Sequence, residues 1–492
     1  MITKKEETRE LEWRVTVTHK PSAQEEDSFE PRIALWHQLI DLLSLNMRSS
    51  SRFMKNAWKL GVDDPRKFIH CIKVGVALTL VSIFYYTRPL YQGVGGTAMW
   101  AIMTIVVIFE FTVGGTIYKG LNRVMATLSA GMIAVGIHWL ASKSSETSEH
   151  IIIASAATFV RFIPAVKARF DYGILIFILT FNLVAVSGYR VDRLLELAQQ
   201  RLATVFIGIS ICLLVCILVR PVWAGEELHL LTIKNMRKLA DSVEESVAEY
   251  FRDGEKGDGN ETSMQNSRGY KCVLNSKATE ESLADLARWE PMHGRFSYLH
   301  PWSQYLRVGT AMRYCAYCIE TLNDCINSEN ENQQKAPEHL KKHLSNACLR
   351  LGLECSNVLK ELASSIESMK RSSSIEVLIG QMNDAVEEVQ NILSTPSLEG
   401  AESKAAIPTI PLMEAMTVIT VASLLNEITL RIDGVADAVE DLAVTAFQSF
   451  EDAQQTDKNK SSNELAAGSD GQEGNLPQAQ LPSAAVPRAG AA

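Results

Sequence analysis

Six apolar runs crowded between Phe68 and Arg220 constrain this chain more than any other feature. They cover residues 68–86, 97–113, 121–140, 151–166, 174–188 and 202–219. A hydrocarbon core about 30 Å thick takes roughly 20 helical residues, so the shorter runs need their amphipathic ends to complete a crossing. Inside a bilayer each backbone polar group must be satisfied within its own segment, which favours helices. The expectation is an all-α membrane protein with six transmembrane helices, followed by a helical cytosolic domain. Four parts are predicted: 1–60, a cytosolic segment with a short amphipathic helix at 33–45; 61–223, the membrane domain; 224–452, the helical domain; and 453–492, a disordered tail.

Lys and Arg set the orientation. Arg48, Arg52, Lys55, Lys59, Arg66 and Lys67 precede the first run, and such clusters stay on the cytosolic side. An even number of crossings returns the C-terminal part to that side. Lys119 and Arg123 in the second connection, and Lys167 and Arg169 in the fourth, then fall inside. The fifth connection dissents, with Arg190, Arg193 and Arg201 on the outer side. The first 30 residues are polar and acidic, so no cleavable signal peptide is expected.

Charge divides the chain unevenly. Residues 68–220 hold 12 Lys/Arg against 6 Asp/Glu, while the whole chain carries −9. The soluble parts are therefore strongly acidic, which argues against nucleic acid as a partner. Nine cysteines show no secreted framework. Cys315 and Cys318 form a CxxC inside an apolar helical run and read as packing residues, and no metal or cofactor is expected. There is no GxxxxGK[ST], HExxH or GxSxG, so the chain is not expected to be an enzyme or a nucleotide-driven pump. Helical spacing predicts helices over 226–251, 279–288, 302–326, 337–369, 375–393 and 411–450.

The cations within or beside the spans carry the chemistry: Lys73 on the first run, Lys119 and Arg123 opening the third, Arg161 within the fourth, and Arg201 at the outer end of the sixth. A charge at such depth costs roughly 2.5–3.5 kcal/mol even on the lenient insertion scale, so it faces a partner or a wet cavity. Within the runs Glu110 is the one acid. Each cation alone also fits snorkelling to headgroups. The set together fits a shared path for anions, since rings of Lys and Arg make anion pores. Trp100 and Met103, one turn apart, fit either an apolar constriction or ordinary packing. Asp192 and Glu196, also one turn apart, form a thin candidate for an external hard cation.

Several stretches carry a resemblance: Asp64-Pro-Arg-Lys-Phe-Ile-His-Cys-Ile-Lys-Val-Gly75, Ala98-Met-Trp-Ala-Ile-Met103, Lys119-Gly-Leu-Asn-Arg123, Phe170-Asp-Tyr-Gly-Ile-Leu-Ile-Phe-Ile-Leu-Thr-Phe181, Pro221-Val-Trp-Ala-Gly-Glu226 and Trp289-Glu290-Pro291. In order, they resemble the plant aluminium-activated malate transporter family. The resemblance implies a homodimeric anion channel passing malate and smaller anions passively, in the plasma membrane or the vacuolar membrane, with both termini cytosolic. It puts the family's pore cations on Lys73, Lys119, Arg123, Arg161 and Arg201, and gives Trp289, Glu290 and Pro291 a part in packing or gating of the cytosolic domain. The residues themselves leave two other readings open, a proton-coupled organic-acid exporter and a membrane scaffold without transport.

Overall fold

The computed structural model describes residues 54–56, 58–59, 61–62, 64–86, 98–141, 148–188, 194–251, 268–296, 300–332, 338–394 and 412–447. The amphipathic segment at 33–45, Arg88, Lys143, Arg190, Asp192, Arg193 and the tail at 453–492 lie outside them. The chain falls into two compact units, Met1–Cys71 and Ile72–Ala492. In the first, Asp64 caps a helix start: its carboxylate accepts the Arg66 backbone N–H at 3.2 Å, and Pro65 occupies the first helical position.

Every regular element among the described residues is helical. Helix α1 is Pro65–Tyr86, α2 Ala98–Ile108, α3 Val113–Ala141, α4 Ser148–Val160, α5 Pro164–Gly188 and α6 Leu194–Leu218. The second half continues with α7 Ala224–Phe251, α8 Tyr270–Asn275, α9 Lys277–Ala287, α10 Trp302–Asn332, α11 Glu338–Ser368, α12 Ile375–Ser394 and α13 Leu412–Leu442, which ends in a π-helical turn, Ala443–Phe447.

Among the described residues two helices, not the six expected, are long and apolar enough to cross a membrane, over Val113–Ile137 and Ala198–Leu218; Met99–Ile108, Ile151–Val160 and Phe170–Val184 are shorter apolar helices. The apolar run at 151–166 is not one helix. It breaks at Arg161–Ile163, and Pro164, which has no N–H to donate, opens α5. Lys167 and Arg169 therefore lie on a helix rather than in a connection. Lys119 and Arg123 likewise sit within α3, because the link from α2 is only Phe109–Thr112.

Two small cores hold these helices. Ala77 and Val81 of α1, Ala101, Ile105 and Ile108 of α2, and Cys212, Val215 and Cys216 of α6 form one; Ala130, Ala134 and Ile137 of α3 with Phe181 and Val184 of α5 form the other. The opposite faces are apolar too, and Met99, Met132, Ile151, Phe159, Phe162 and Leu218 stand exposed. An apolar surface of that extent needs lipid or another protein against it.

The helical domain is built differently. Its core is continuous, with α7 packed along α11, α10 along α13, and α12 against α11. Leu228, Met236, Leu239, Met312, Ile319, Leu322 and Leu344 are fully buried. Side chains of this size contribute about 1.5–3 kcal/mol each when removed from water.

Candidate functional site

Five cations from four places in the fold define the candidate site, and the structure sorts them by partner. Lys119 and Arg123 lie four residues apart on α3, and so share a face. Lys119 pairs with Glu110 in the α2–α3 link. Arg161, in the break between α4 and α5, makes a two-pronged pair with Asp171 of α5, Nε to Oδ1 at 2.8 Å and Nη2 to Oδ2 at 3.2 Å. Asp171 is thus an acid on the apolar helices, as are Glu149 of α4 and Glu196 of α6. The apolar run beginning at 174 hides Asp171, and Pro164 is the signal that moves the helix start back far enough to include it.

Lys73 is only 1% exposed. Its ammonium donates to the Arg220 carbonyl at 2.7 Å. That carbonyl follows the end of α6, where a cation also complements the helix dipole. Arg220 itself has a positive φ of 44°, the left-handed conformation that ends many helices and favours glycine.

Arg123 and Arg201 are different. They are 6% and 8% exposed, and neither is paired with an acid in any described contact. Arg123 Nη1 donates to the Tyr172 hydroxyl at 3.3 Å, and its Nε has no hydrogen-bond partner among the described residues. The Arg201 guanidinium lies over the Trp100 ring, 3.3 Å from its centroid, and its Nη2 has no partner among the described residues. A buried charged donor without an acceptor is costly, so the pair is chemically poised to receive an anion. Trp100 is therefore the stacking partner of Arg201, and Met103, one turn on, is exposed. Glu196 lies on α6, while Asp192 falls outside the described residues.

The Trp289-Glu290-Pro291 stretch sits where the two helical regions meet. Glu290 Oε1 accepts the backbone N–H of Gly114 at 3.1 Å and of Ala224 at 2.6 Å, and Oε2 accepts that of Gly225 at 3.0 Å. One carboxylate thus caps the starts of both α3 and α7. Each start offers free N–H groups and the positive end of a helix dipole. Thr112 completes the α3 cap, its hydroxyl accepting the Gly115 N–H at 3.2 Å. The Val113 N–H donates to the Val222 carbonyl at 2.9 Å. Glycine is what permits this approach. A Cβ on Gly114 would stand 2.4 Å from the Leu286 carbonyl oxygen, and one on Gly225 would stand 2.3 Å from the Trp302 ring.

Burial pushes the Glu290 carboxyl above the ordinary range, against the pull of its three backbone donors and of His293 at 3.9 Å. Trp223 stacks on His293 with ring centroids 3.9 Å apart, and Trp289 touches Tyr118 of α3 at 5.6 Å. Pro291, His293 and His300 line a cavity of about 340 Å³ beside this junction. Beneath it, the Tyr305 hydroxyl meets His229 Nδ1 at 3.0 Å and His300 Nε2 at 3.4 Å. Burial lowers both imidazoles to about 4. Cys315 and Cys318 lie on α10; burial raises both thiols, and no metal-holding cluster occurs among the described residues.

Helices with apolar outer faces, buried guanidiniums and a sealed helical domain describe a membrane protein rather than a soluble enzyme. Residues 58–407 match the family model described as aluminium activated malate transporter. The chain is 44% identical over 476 residues to aluminum-activated malate transporter 10 of Arabidopsis thaliana, covering 89% of this chain and 94% of that one. It is 42% identical to transporter 2 of the same plant, over 81% and 79% of the two chains. Transporter 1 of Triticum aestivum is 41% identical over 82% of this chain and 88% of its own. The chain therefore belongs to the aluminium activated malate transporter family, a family of transporters and not of enzymes.

Proposed function

We propose that this protein is an anion channel that passes malate and smaller anions passively across a plant membrane. The observation that supports this most strongly is the pair of buried guanidiniums, Arg123 and Arg201, whose N–H groups Nε and Nη2 meet no acceptor among the described residues. A permeant carboxylate supplies the acceptors they lack. It leaves again because two donors do not replace its whole hydration shell, which is the balance that conduction requires. Lys119 and Arg161, half-exposed and tied to Glu110 and Asp171, hold the field along the same route while their acids moderate it. Lys73 closes the inner end of α6 through the Arg220 carbonyl, so its charge stays at the path without binding an acid.

In this reading α1–α6 are the six crossings, α2 and α4 completing theirs with flanking residues, and α7–α13 form the cytosolic domain. The protein works as a homodimer in the plasma membrane, with the vacuolar membrane as the alternative. Its curated relatives carry malate transport in their names.

Voltage clamp with malate, chloride and nitrate exchanged on either side tests the proposal. Reversal potentials should follow the anion gradient, be indifferent to a proton gradient, and shift on external aluminium only if Asp192 and Glu196 bind it. Arg123→Ala and Arg201→Ala should each lower malate conductance at least tenfold in protein that still reaches the membrane. Reversal that tracked the cation gradient, or unchanged conductance in both variants, would refute it.

A further inference from the structure

The turn joining α11 to α12 carries a feature that transport does not use. It reads Met369-Lys370-Arg371-Ser372-Ser373-Ser374 and is pinned at its start. Met369 has a left-handed φ of 50°, the Met369 N–H reaches the Ile366 carbonyl, and the Lys370 N–H reaches that of Ser365. From this rigid base the chain presents Arg371, whose side chain is 68% exposed, followed by exposed Ser373 and Ser374. Ser374 directly precedes α12, and its carbonyl accepts the Leu378 N–H at 3.0 Å. The first fully buried residue of α12 is Met382, while Ile375, Leu378 and Ile379 of its opening turns lie partly buried against the core.

Two acids complete the arrangement. The hydroxyls of Ser372 and Ser374 both donate to Glu361 Oε1 of α11, the latter at 2.9 Å. Arg371 Nη2 pairs with Glu440 Oε1 of α13 at 2.6 Å. This exposed ion pair is the described tie between the turn and α13, and exposed ion pairs hold weakly.

We propose that Ser374 is a phosphorylation site for a basophilic serine/threonine kinase, which reads Arg371 three residues before it and Ile375 just after it, and that the phosphate draws Arg371 away from Glu440. In the transfer, a bond forms between Ser374 Oγ and the γ-phosphorus of a nucleoside triphosphate. The bond from that phosphorus to the β,γ-bridging oxygen breaks, the hydroxyl proton passes to the kinase's base, and the nucleoside diphosphate leaves. The product carries nearly two negative charges where a hydroxyl had donated to Glu361. Repulsion from Glu361 turns the phosphate outward, toward the free N–H groups at the start of α12 and toward Arg371. A phosphate offers that guanidinium a two-pronged, more highly charged partner than the Glu440 carboxylate does. The turn then lets go of α13.

Full-length protein in detergent, treated with a kinase selective for Arg at the third position before the acceptor and with ATP, supplies the test. Mass spectrometry should place phosphate on Ser374, at more than half occupancy, and Ser374→Ala should lose it. Backbone hydrogen exchange around residues 437–442 should quicken severalfold on phosphorylation, and Glu440→Gln should reproduce that change without kinase. Phosphate confined to Ser372 or Ser373, or none on this turn while a control peptide is labelled, overturns the site. Phosphate on Ser374 with unchanged exchange at 437–442 overturns the switch. None of these readouts involves transport, so they stand or fall apart from the channel reading.

Discussion

Replacing Glu290 by Gln isolates what a single buried carboxylate does for two helices. The shape is kept, but one oxygen becomes an NH₂ group. If the amide oxygen takes the place of Oε1, the Gly114 and Ala224 N–H groups keep an acceptor, now neutral, and Gly225 faces a donor. An unsatisfied buried N–H costs about 1–3 kcal/mol, and exchanging a charged acceptor for a neutral one weakens each remaining bond by roughly 1 kcal/mol. Against this, the amide carries none of the desolvation penalty that raises the carboxyl in the wild type. The expected net loss is about 2 kcal/mol, or roughly 4–8 °C in Tm for a domain of this size. The sign with pH is also fixed. A carboxyl raised in the folded state favours the proton there, so this group's contribution is complete below its unfolded value near 4.5 and declines as pH rises through the folded one. Thermal melts of purified full-length protein, with hydrogen exchange at Gly114 and Gly225, would measure both. A variant that melts within 1 °C of wild type and protects both amides equally would refute the double cap.

Three further outcomes follow from the same geometry. Gly114→Ala places a methyl 2.4 Å from the Leu286 carbonyl oxygen, so α3 and α9 must part; we expect a loss of about 1–3 kcal/mol in denaturant titration. Arg220→Gly removes the cost of a positive φ on a residue with a Cβ, less the greater chain entropy of glycine, and should raise stability by roughly 0.5–1 kcal/mol in the same titration. Acid should loosen the helical domain, because His229 and His300 are depressed to about 4: their contribution, on the order of 3 kcal/mol each, is present above 6.5 and disappears as pH falls toward 4. Near-ultraviolet circular dichroism of the Trp302–Tyr305 cluster, followed from pH 7 to 4, should show that loss, and His229→Phe should flatten it.

The helical domain was legible because its helices follow the 3.6-residue period without interference. The helix expected at 375–393 is Ile375–Ser394, and that expected at 226–251 is Ala224–Phe251. Helix α3 was harder. The apolar run begins at 121, after the polar and small residues Gly114, Gly115, Thr116 and Lys119, yet the helix starts at Val113. Its start is secured by Glu290, 176 residues away from Gly114, and no local pattern reports such a partner. The candidate cations were visible as residue types in apolar surroundings. Their fates were not: Asp171 neutralises Arg161, a main-chain carbonyl takes up Lys73, and Trp100 covers Arg201. Apolar periodicity weighs side chains one at a time, whereas these contacts depend on how separate helices are brought together.

The shared start of α3 and α7 also has a mechanical meaning. Helix α3 has 29 residues and so is about 44 Å long at 1.5 Å per residue. Its first turn is fastened through Glu290 to the helical domain, which makes that turn a fulcrum and the remainder a lever arm. A tilt of about 5° at the fulcrum would carry Arg123, roughly 15 Å along, through a little over 1 Å, and the far end through about 4 Å. A displacement of 1 Å is enough to make or break the geometry of a hydrogen bond. Small rotations of the helical domain would therefore arrive at the buried guanidinium as changes in its hydrogen-bond geometry, while the opposite end of α3 swung several times further.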